Sequence, residues 1–382
     1  MRHSEFRHGL AFAALALAIG CSSRPTQVSH SGKGAFETAL APLGDGFAVA
    51  WYDTRDGNGE IYVRLLDADG RLAGPERRLT TGPEDSLEAS IESFQGHLVV
   101  AWYDQSGQGQ QTAKLGMWTR DGTNRWVHVF AGGTRNPVIR ISASAIFCAW
   151  IQMEADGREA VFAGWWDGSG KPQSAPARLG PASKTTWNLN AAIDEMGVGW
   201  VVFDAEVETR ASEVYIARAD ASASKMFRLT KDDVAPSKYP DLSLGAAGRA
   251  ALSWQDERDG NVEVYLFTGP LADLTGEIDE RSRRVTNTPG ESDGAYLSWN
   301  GDRLGLAWSD KTSGQHEVYF TSFDANGSMR EPERRITETS PWSLVPAIRP
   351  DGTGFALAWT EYVPASMEVH QGTSEVYFQK IP

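Results

Sequence analysis

The stretch AWYDTRDGNGEIYV, residues 50–63, recurs as SWQDERDGNVEVYL at 253–266 and, further diverged, as AWSDKTSGQHEVYF at 307–320. Each copy has a small, apolar run ending in Trp, a Gly-rich polar turn, and a run of β-branched and aromatic residues. That pattern spells strand, tight turn, strand. Aligned on the tryptophan, the motif returns at Trp51, Trp102, Trp150, Trp254, Trp308 and Trp359, at intervals of 51, 48, 104, 54 and 51 residues. The interval of 104 spans two units. Its degenerate member is WVVFDAEVETRASEVYIARA, with Val202, Phe203 and Asp204 in the places of Trp51, Tyr52 and Asp53. The chain therefore carries seven units.

Each unit of about fifty residues holds four short strand-like pieces, such as EASIES (88–93), LVVAW (98–102), EIYVRLLD (60–67) and RRLT (77–80). Gly, Asp and Pro separate them. Four antiparallel strands per unit of this length define a β-propeller blade. The content of 14 Trp and 39 Gly in 382 residues agrees with aromatic strands joined by glycine turns. The predicted fold is all-β, a seven-bladed β-propeller of four-stranded antiparallel blades. The outer strands sit at a fixed distance before the next motif. Arg78 to Trp102, Arg178 to Val202, Arg284 to Trp308 and Arg335 to Trp359 are each 24 residues. The last unit stops after its third strand, and counting 24 back from Trp51 gives Gln27. Residues Gln27 to Ser29 are thus expected to complete the last blade, closing the ring and removing its free sheet edges.

The pieces RPDG (349–352), DTRDGNGEIYV (53–63), DADG (67–70) and RRLT (77–80) resemble the TolB-type propeller repeat over roughly residues 26–382. The resemblance implies architecture more than activity. TolB's N-terminal α/β domain has no counterpart in this sequence, and seven units stand where TolB usually has six. The Asp-box of sialidase-type propellers is missing as well.

Residues 1–20 read as a signal peptide. Arg2 and Arg7 lead into the apolar run LAFAALALAI (10–19), which is too short to span a bilayer. The following AIGC (18–21) resembles a bacterial lipobox, with Ala18 where Leu is preferred. That resemblance implies acylation at Cys21, a short linker over 21–25, and a single propeller domain over 26–382. Ser22 after the cysteine would fit the bacterial outer membrane, with the body facing the periplasm or the surface. The net charge of −14 argues against a nucleic-acid partner and keeps the molecule soluble. Cys148, in AIFCAW, reads as a small buried hydrophobe, and with Cys21 acylated no disulfide forms.

Asp53, Asp56, Asp256 and Asp259 put oxygen ligands at alternating positions in the repeated turn, a weak pattern for Ca²⁺. The structural reading accounts for more. DGN supplies the turn, Asp53 and Asp256 accept bonds from turn amides, and Arg55 and Arg258 pair with neighbouring carboxylates. No cofactor motif, zinc spacing or nucleophile signature is present, and no catalytic residue is assigned. The candidate working face is the one where inter-blade loops surround the central opening. Its acids include Asp232 and Asp233, and its aromatics are Phe36, Trp187, Tyr239, Tyr296 and Trp342. Two functions fit such a face. One is a non-catalytic scaffold, monomeric and lipid-anchored, that recruits an envelope protein. The other is a propeller that binds or cleaves a glycan, as sialidases do.

Overall fold

The computed structural model describes residues 24–219, 225–364 and 372–382. The acylation candidate Cys21 and the signal segment lie outside the described residues. Seven four-stranded antiparallel sheets follow one another around a ring. Their inner strands, blades 1 to 7, are Ala35–Leu43, Asp85–Phe94, Thr134–Ile141, Leu189–Ile193, Ser237–Gly245, Ser292–Asn300 and Trp342–Asp351. The degenerate fourth unit forms a full sheet, although Val202 replaces its tryptophan.

The ring closes as the spacing predicts. Thr26–Gln27 form the fourth strand of blade 7, pairing with Phe378 and Tyr377. The backbone amide of Val28 continues the ladder to the Val376 carbonyl at 2.7 Å.

The fixed interval of 24 residues has a structural cause. Glu60 opens the third strand of blade 1 and is fully buried. It accepts from Arg78 Nη2 at 2.6 Å and from Thr80 Oγ1 at 2.5 Å, both on or just after the outer strand. Thr80 Oγ1 in turn accepts from the Ile61 amide at 2.8 Å. Glu263 holds Arg284 and Thr286 in the same way in blade 5, as Glu317 holds Arg335 and Thr337 in blade 6. Blade 7 rebuilds the lock across the chain ends. Ser29 Oγ donates to Glu375 Oε2 at 2.5 Å and accepts from the Val376 amide at 2.8 Å.

Between blades the core is aromatic. Trp51, Trp254, Trp308 and Trp359 are fully buried. They stack on Tyr62, Tyr265, Tyr319 and Tyr377 at centroid distances of 5.8 to 6.2 Å. Cys148 has no exposed surface, and burial pushes its thiol well above the ordinary range. It is packing, as the apolar strand around it implies.

Six of the seven inner strands carry a bulge at one position, and blade 4 alone lacks it. The bulge residues Glu37, Glu88, Asn136, Tyr239 and Val345 have φ between 48° and 53°, and blade 6 places Gly294 there. Left-handed backbone is costly for residues with a Cβ. Its repetition around the ring sets a collar of re-aimed side chains at the mouth of the central channel.

Candidate functional site

The repeated turn is structural. Asp53 is fully buried and accepts from Trp51 Nε1 at 2.9 Å, Ser31 Oγ at 2.7 Å and the Arg55 amide at 2.9 Å. Asp256 accepts from Trp254 Nε1 at 3.0 Å, Ser237 Oγ at 2.7 Å and the Arg258 amide at 2.9 Å. Arg55 and Arg258 close salt bridges on these carboxylates. Asp56 and Asp259 take the hydroxyls of Tyr62 and Tyr265 and bridge to Arg78 and Arg284. Burial raises the Asp256 carboxyl, but Arg258 and Ser237 outweigh it and hold the group below the usual range. With so many N–H and O–H donors engaged, these oxygens are poorly disposed to a cation. Asp256→Ala is expected to cost about 3–5 kcal/mol, because Arg258 and Trp254 lose a buried acceptor. Millimolar Ca²⁺ or EDTA should leave the wild-type melting temperature unchanged in the same calorimetric scans.

The central channel holds a cavity of about 880 Å³ lined by all seven inner strands. At its mouth stand Glu37, Glu88, Arg135, Asn136, Trp187 and Tyr239. Deeper lie Glu92, Arg140, Asp241, Tyr296 and Arg349. Of the five aromatic candidates, Trp187, Tyr239 and Tyr296 line this funnel. Trp187 is 49% exposed and Tyr239 is 38% exposed. Phe36 and Trp342 lie off it. Phe36 is buried against Tyr52 at 5.3 Å and Tyr362 at 5.9 Å, and Trp342 packs on His316 and Tyr362. Asp232 and Asp233 sit in the loop before blade 5. Asp232 receives the Arg210 amide, and Asp233 caps the Ala235 amide. Neither lines the funnel.

Blade 4 explains how Trp187 and Tyr239 are held. In blades 1, 2 and 5 the Asp two residues after the motif tryptophan is engaged by its indole N–H. With Val202 at that place, Asp204 is released from this duty. Its fully buried carboxylate instead accepts the backbone amides of Trp187 at 2.7 Å, Asn188 at 3.2 Å and Tyr239 at 2.8 Å. One side chain thus fixes the two exposed aromatics of adjacent blades. Burial pushes Asp204 up to about 6, against the pull of those three amides. Lys238 Nζ lies 4.8 Å above the Trp187 ring, covering one face of the indole.

The charged groups divide by depth. Glu88 accepts from Tyr103 Oη at 3.0 Å. Burial raises its carboxyl, while Tyr103, Arg135 and Asn136 draw it down. Glu37, on the neighbouring blade, is raised further, by burial and then by Glu88, and its Oε2 is sealed from solvent with no donor among the described residues. Below them Glu92 meets Arg349 at 3.3 Å and Arg140 at 3.7 Å. Asp241 accepts the Leu297 amide at 2.6 Å and the side-chain amide of Asn190. The sequence reading singled out neither Arg135, Arg140 and Arg349 nor Glu37, Glu88, Glu92 and Asp241. The signal was present: Glu37, Glu88, Asn136 and Val345 each fall 14 residues before the motif tryptophan of their blade. Among the described residues, no three His, Cys, Asp or Glu side chains converge as metal ligands.

These features define a seven-bladed β-propeller with a polar, aromatic-rimmed funnel. No family model and no curated protein sequence matches the chain. Solved structures share the fold at low identity. A protein of unknown function from Dyadobacter fermentans superposes with a TM-score of 0.59 at 9% identity, covering 94% of this chain and 98% of that one. The phage phi92 endosialidase gives 0.55 at 9%, over 94% and 68%. An α-L-arabinanase of Penicillium chrysogenum complexed with arabinobiose gives 0.54 at 9%, over 94% and 98%. Such likeness speaks for the fold alone.

Proposed function

We propose that this chain is a non-catalytic binding protein of the bacterial envelope that takes a polar, saccharide-sized ligand into its central funnel. The funnel itself carries the reading. A cavity of about 880 Å³ with two exposed aromatics at the rim and carboxylates, guanidinium groups and an amide on its walls suits a ring that stacks on one side and hydrogen-bonds on the others. A protein-recruiting face would want a broad surface patch. Here the candidate groups converge inward, and Phe36 and Trp342 are withdrawn into packing.

The envelope assignment rests on the lipobox-like AIGC and on the TolB-like repeats, and the anchor is Cys21. Four residues separate Cys21 from Thr26, whose hydroxyl donates to the Gly70 carbonyl in the turn between the third and fourth strands of blade 1. That turn lies at the end of the antiparallel blade opposite to that where Trp187 enters an inner strand. A chain tethered there would sit close to the bilayer with its funnel mouth turned away from it. That arrangement favours a ligand arriving from the bulk compartment over one embedded in the membrane.

The test is a glycan array probed with the mature protein carrying Cys21→Ser, with a Trp187→Ala/Tyr239→Ala variant as control. Saturable binding, weakened at least about tenfold in the variant at unchanged melting temperature, is the expected result. An array on which the wild type binds nothing, or binds equally with the variant, would return the search to protein partners.

A further inference from the structure

We propose that the funnel mouth is a receptor for a primary ammonium group, seated between Glu37 and Glu88 with Tyr239 and Tyr296 beside it. This rests on the funnel reading above and names the chemistry of its occupant.

The argument begins with charge that has no counter-charge. The funnel is lined by four carboxylates, Glu37, Glu88, Glu92 and Asp241, and three guanidinium groups, Arg135, Arg140 and Arg349. Arg140 and Arg349 are spent on Glu92, and Arg140 is also bonded to Asn190, the partner of Asp241. Arg135 belongs to Glu159 at 2.7 Å and to the Thr186 carbonyl at 2.6 Å. The mouth pair therefore has no salt bridge of its own among the described residues, only the more distant pull of Arg135 on Glu88. Glu88 has a phenol donor in Tyr103, whereas Glu37 has a sealed oxygen with no donor among the described residues. A carboxyl buried without a partner is costly when ionised, which favours its protonated form until a positive donor arrives.

The surroundings suit a positive group. Facing the pair are the phenols of Tyr52 on the second strand of blade 1, Tyr103 on that of blade 2, Tyr239 on blade 5 and Tyr296 on blade 6. Arg135 on blade 3, the one positive group near them among the described residues, opposes a second cation but is engaged by Glu159. Aromatic faces attract ammonium, and the same rim already seats one: Lys238 Nζ over Trp187. A metal ion is a poorer occupant, because no third carboxylate or imidazole converges there among the described residues. A neutral hydroxyl supplies a hydrogen bond but no positive charge to let Glu37 ionise beside Glu88. Binding of R–NH₃⁺ lets Glu37 ionise and releases its proton to solvent, with no bond made or broken in the ligand.

Isothermal titration tests this with three probes. Cadaverine keeps its amines protonated through pH 8, N,N′-diacetylcadaverine lacks the charge, and the glucosamine tetramer is compared at pH 6 with its N-acetylated form. Cadaverine should bind at least about tenfold more tightly than its diacetyl form. Its Kd should tighten with rising pH, by up to about tenfold per unit while one proton is released per ligand. Glu37→Gln should abolish that pH dependence and most of the preference. Should Glu37→Gln fail to fold, Glu88→Gln and the wild-type pH slope decide. Equal affinity for charged and acetylated probes, a flat wild-type pH profile, or no binding of any amine overturns the proposal. Binding of the N-acetylated tetramer without preference for the amine would retain the funnel as a saccharide site while overturning the ammonium. Cadaverine binding without any saccharide binding would do the reverse.

Discussion

Glu375→Ala is expected to lower unfolding free energy by about 3–5 kcal/mol, and removal of residues 24–31 to abolish cooperative folding. Glu375 joins the chain ends. It accepts from Ser29 Oγ at 2.5 Å, from the Ser31 amide at 2.9 Å and from the Gly32 amide at 2.8 Å. Each donor left without an acceptor costs about 1–3 kcal/mol where it is buried, and Ser29 is fully buried. Without the closing strand, Gly372–Ile381 becomes an open edge, and the loss spreads because each blade buries its faces only against its neighbours. The contrasting variant is Glu60→Ala. It breaks the same lock within blade 1, where the outer strand remains tied to the chain on both sides. Urea unfolding of both should show Glu375→Ala as the more damaging, with a shallower transition. Equal midpoints and slopes would mean that closure contributes no more than any single outer strand.

Asp204→Ala should remove ligand binding and a share of the stability together. Three backbone amides from two blades converge on this carboxylate. Loss of the group is expected to cost about 2–4 kcal/mol and to weaken ligand binding at least about tenfold, since the rim aromatics lose their common anchor. The conservative Asp204→Asn keeps an acceptor oxygen and should recover part of both. It also isolates a pH effect whose sign is fixed. The folded value of about 6 lies above the unfolded carboxylate value. The folded state therefore holds the proton more tightly. The stability this group contributes is present in acid and is lost as pH rises from about 4 to about 6. Asp293, raised by burial to about 7, and the buried Glu213, raised to about 8, extend the decline toward pH 8. Wild-type melting temperature should accordingly be higher near pH 5 than at pH 8. Asp204→Asn should flatten the lower part of that slope, and a melting temperature rising from pH 5 to pH 8 would contradict the assignment.

The fold was legible because its determinants are periodic. Trp51 and its counterparts mark the second strands, Glu60 and its counterparts open the third, and in blades 1, 5 and 6 the Arg–x–Thr bound by that glutamate fixes the outer strand 24 residues before the next tryptophan. Even the closure could be read, since Gln27 falls at that interval. The funnel was harder to read. Its walls come from inner strands, whose side chains differ from blade to blade because each points into a shared space rather than a repeated contact. Trp187 and Trp342 looked alike in sequence, both aromatics among turn residues. Only packing separates them, since Tyr362 and His316 supply neighbours for Trp342 while Trp187 has Lys238 on one face. Arg140 and Arg349 escaped notice because an arginine inside a strand resembles a surface residue until the ring is closed around it. Asp204 is the instructive case. The decay of the fourth repeat read as loss of a motif, and the structure makes that loss the reason an acidic side chain is available to hold the rim.

The most direct test of the funnel as the working site is amide hydrogen exchange with and without saturating ligand, using the tightest binder from the array. Protection is expected at the inner-strand bulges around residues 88–90, 136–138 and 239–241 and at the bulge-free entry to blade 4, residues 187–190, with the outer strands unchanged. Protection confined to the outer strands or to the loop holding Asp232 and Asp233, with the inner strands unaffected, would contradict it.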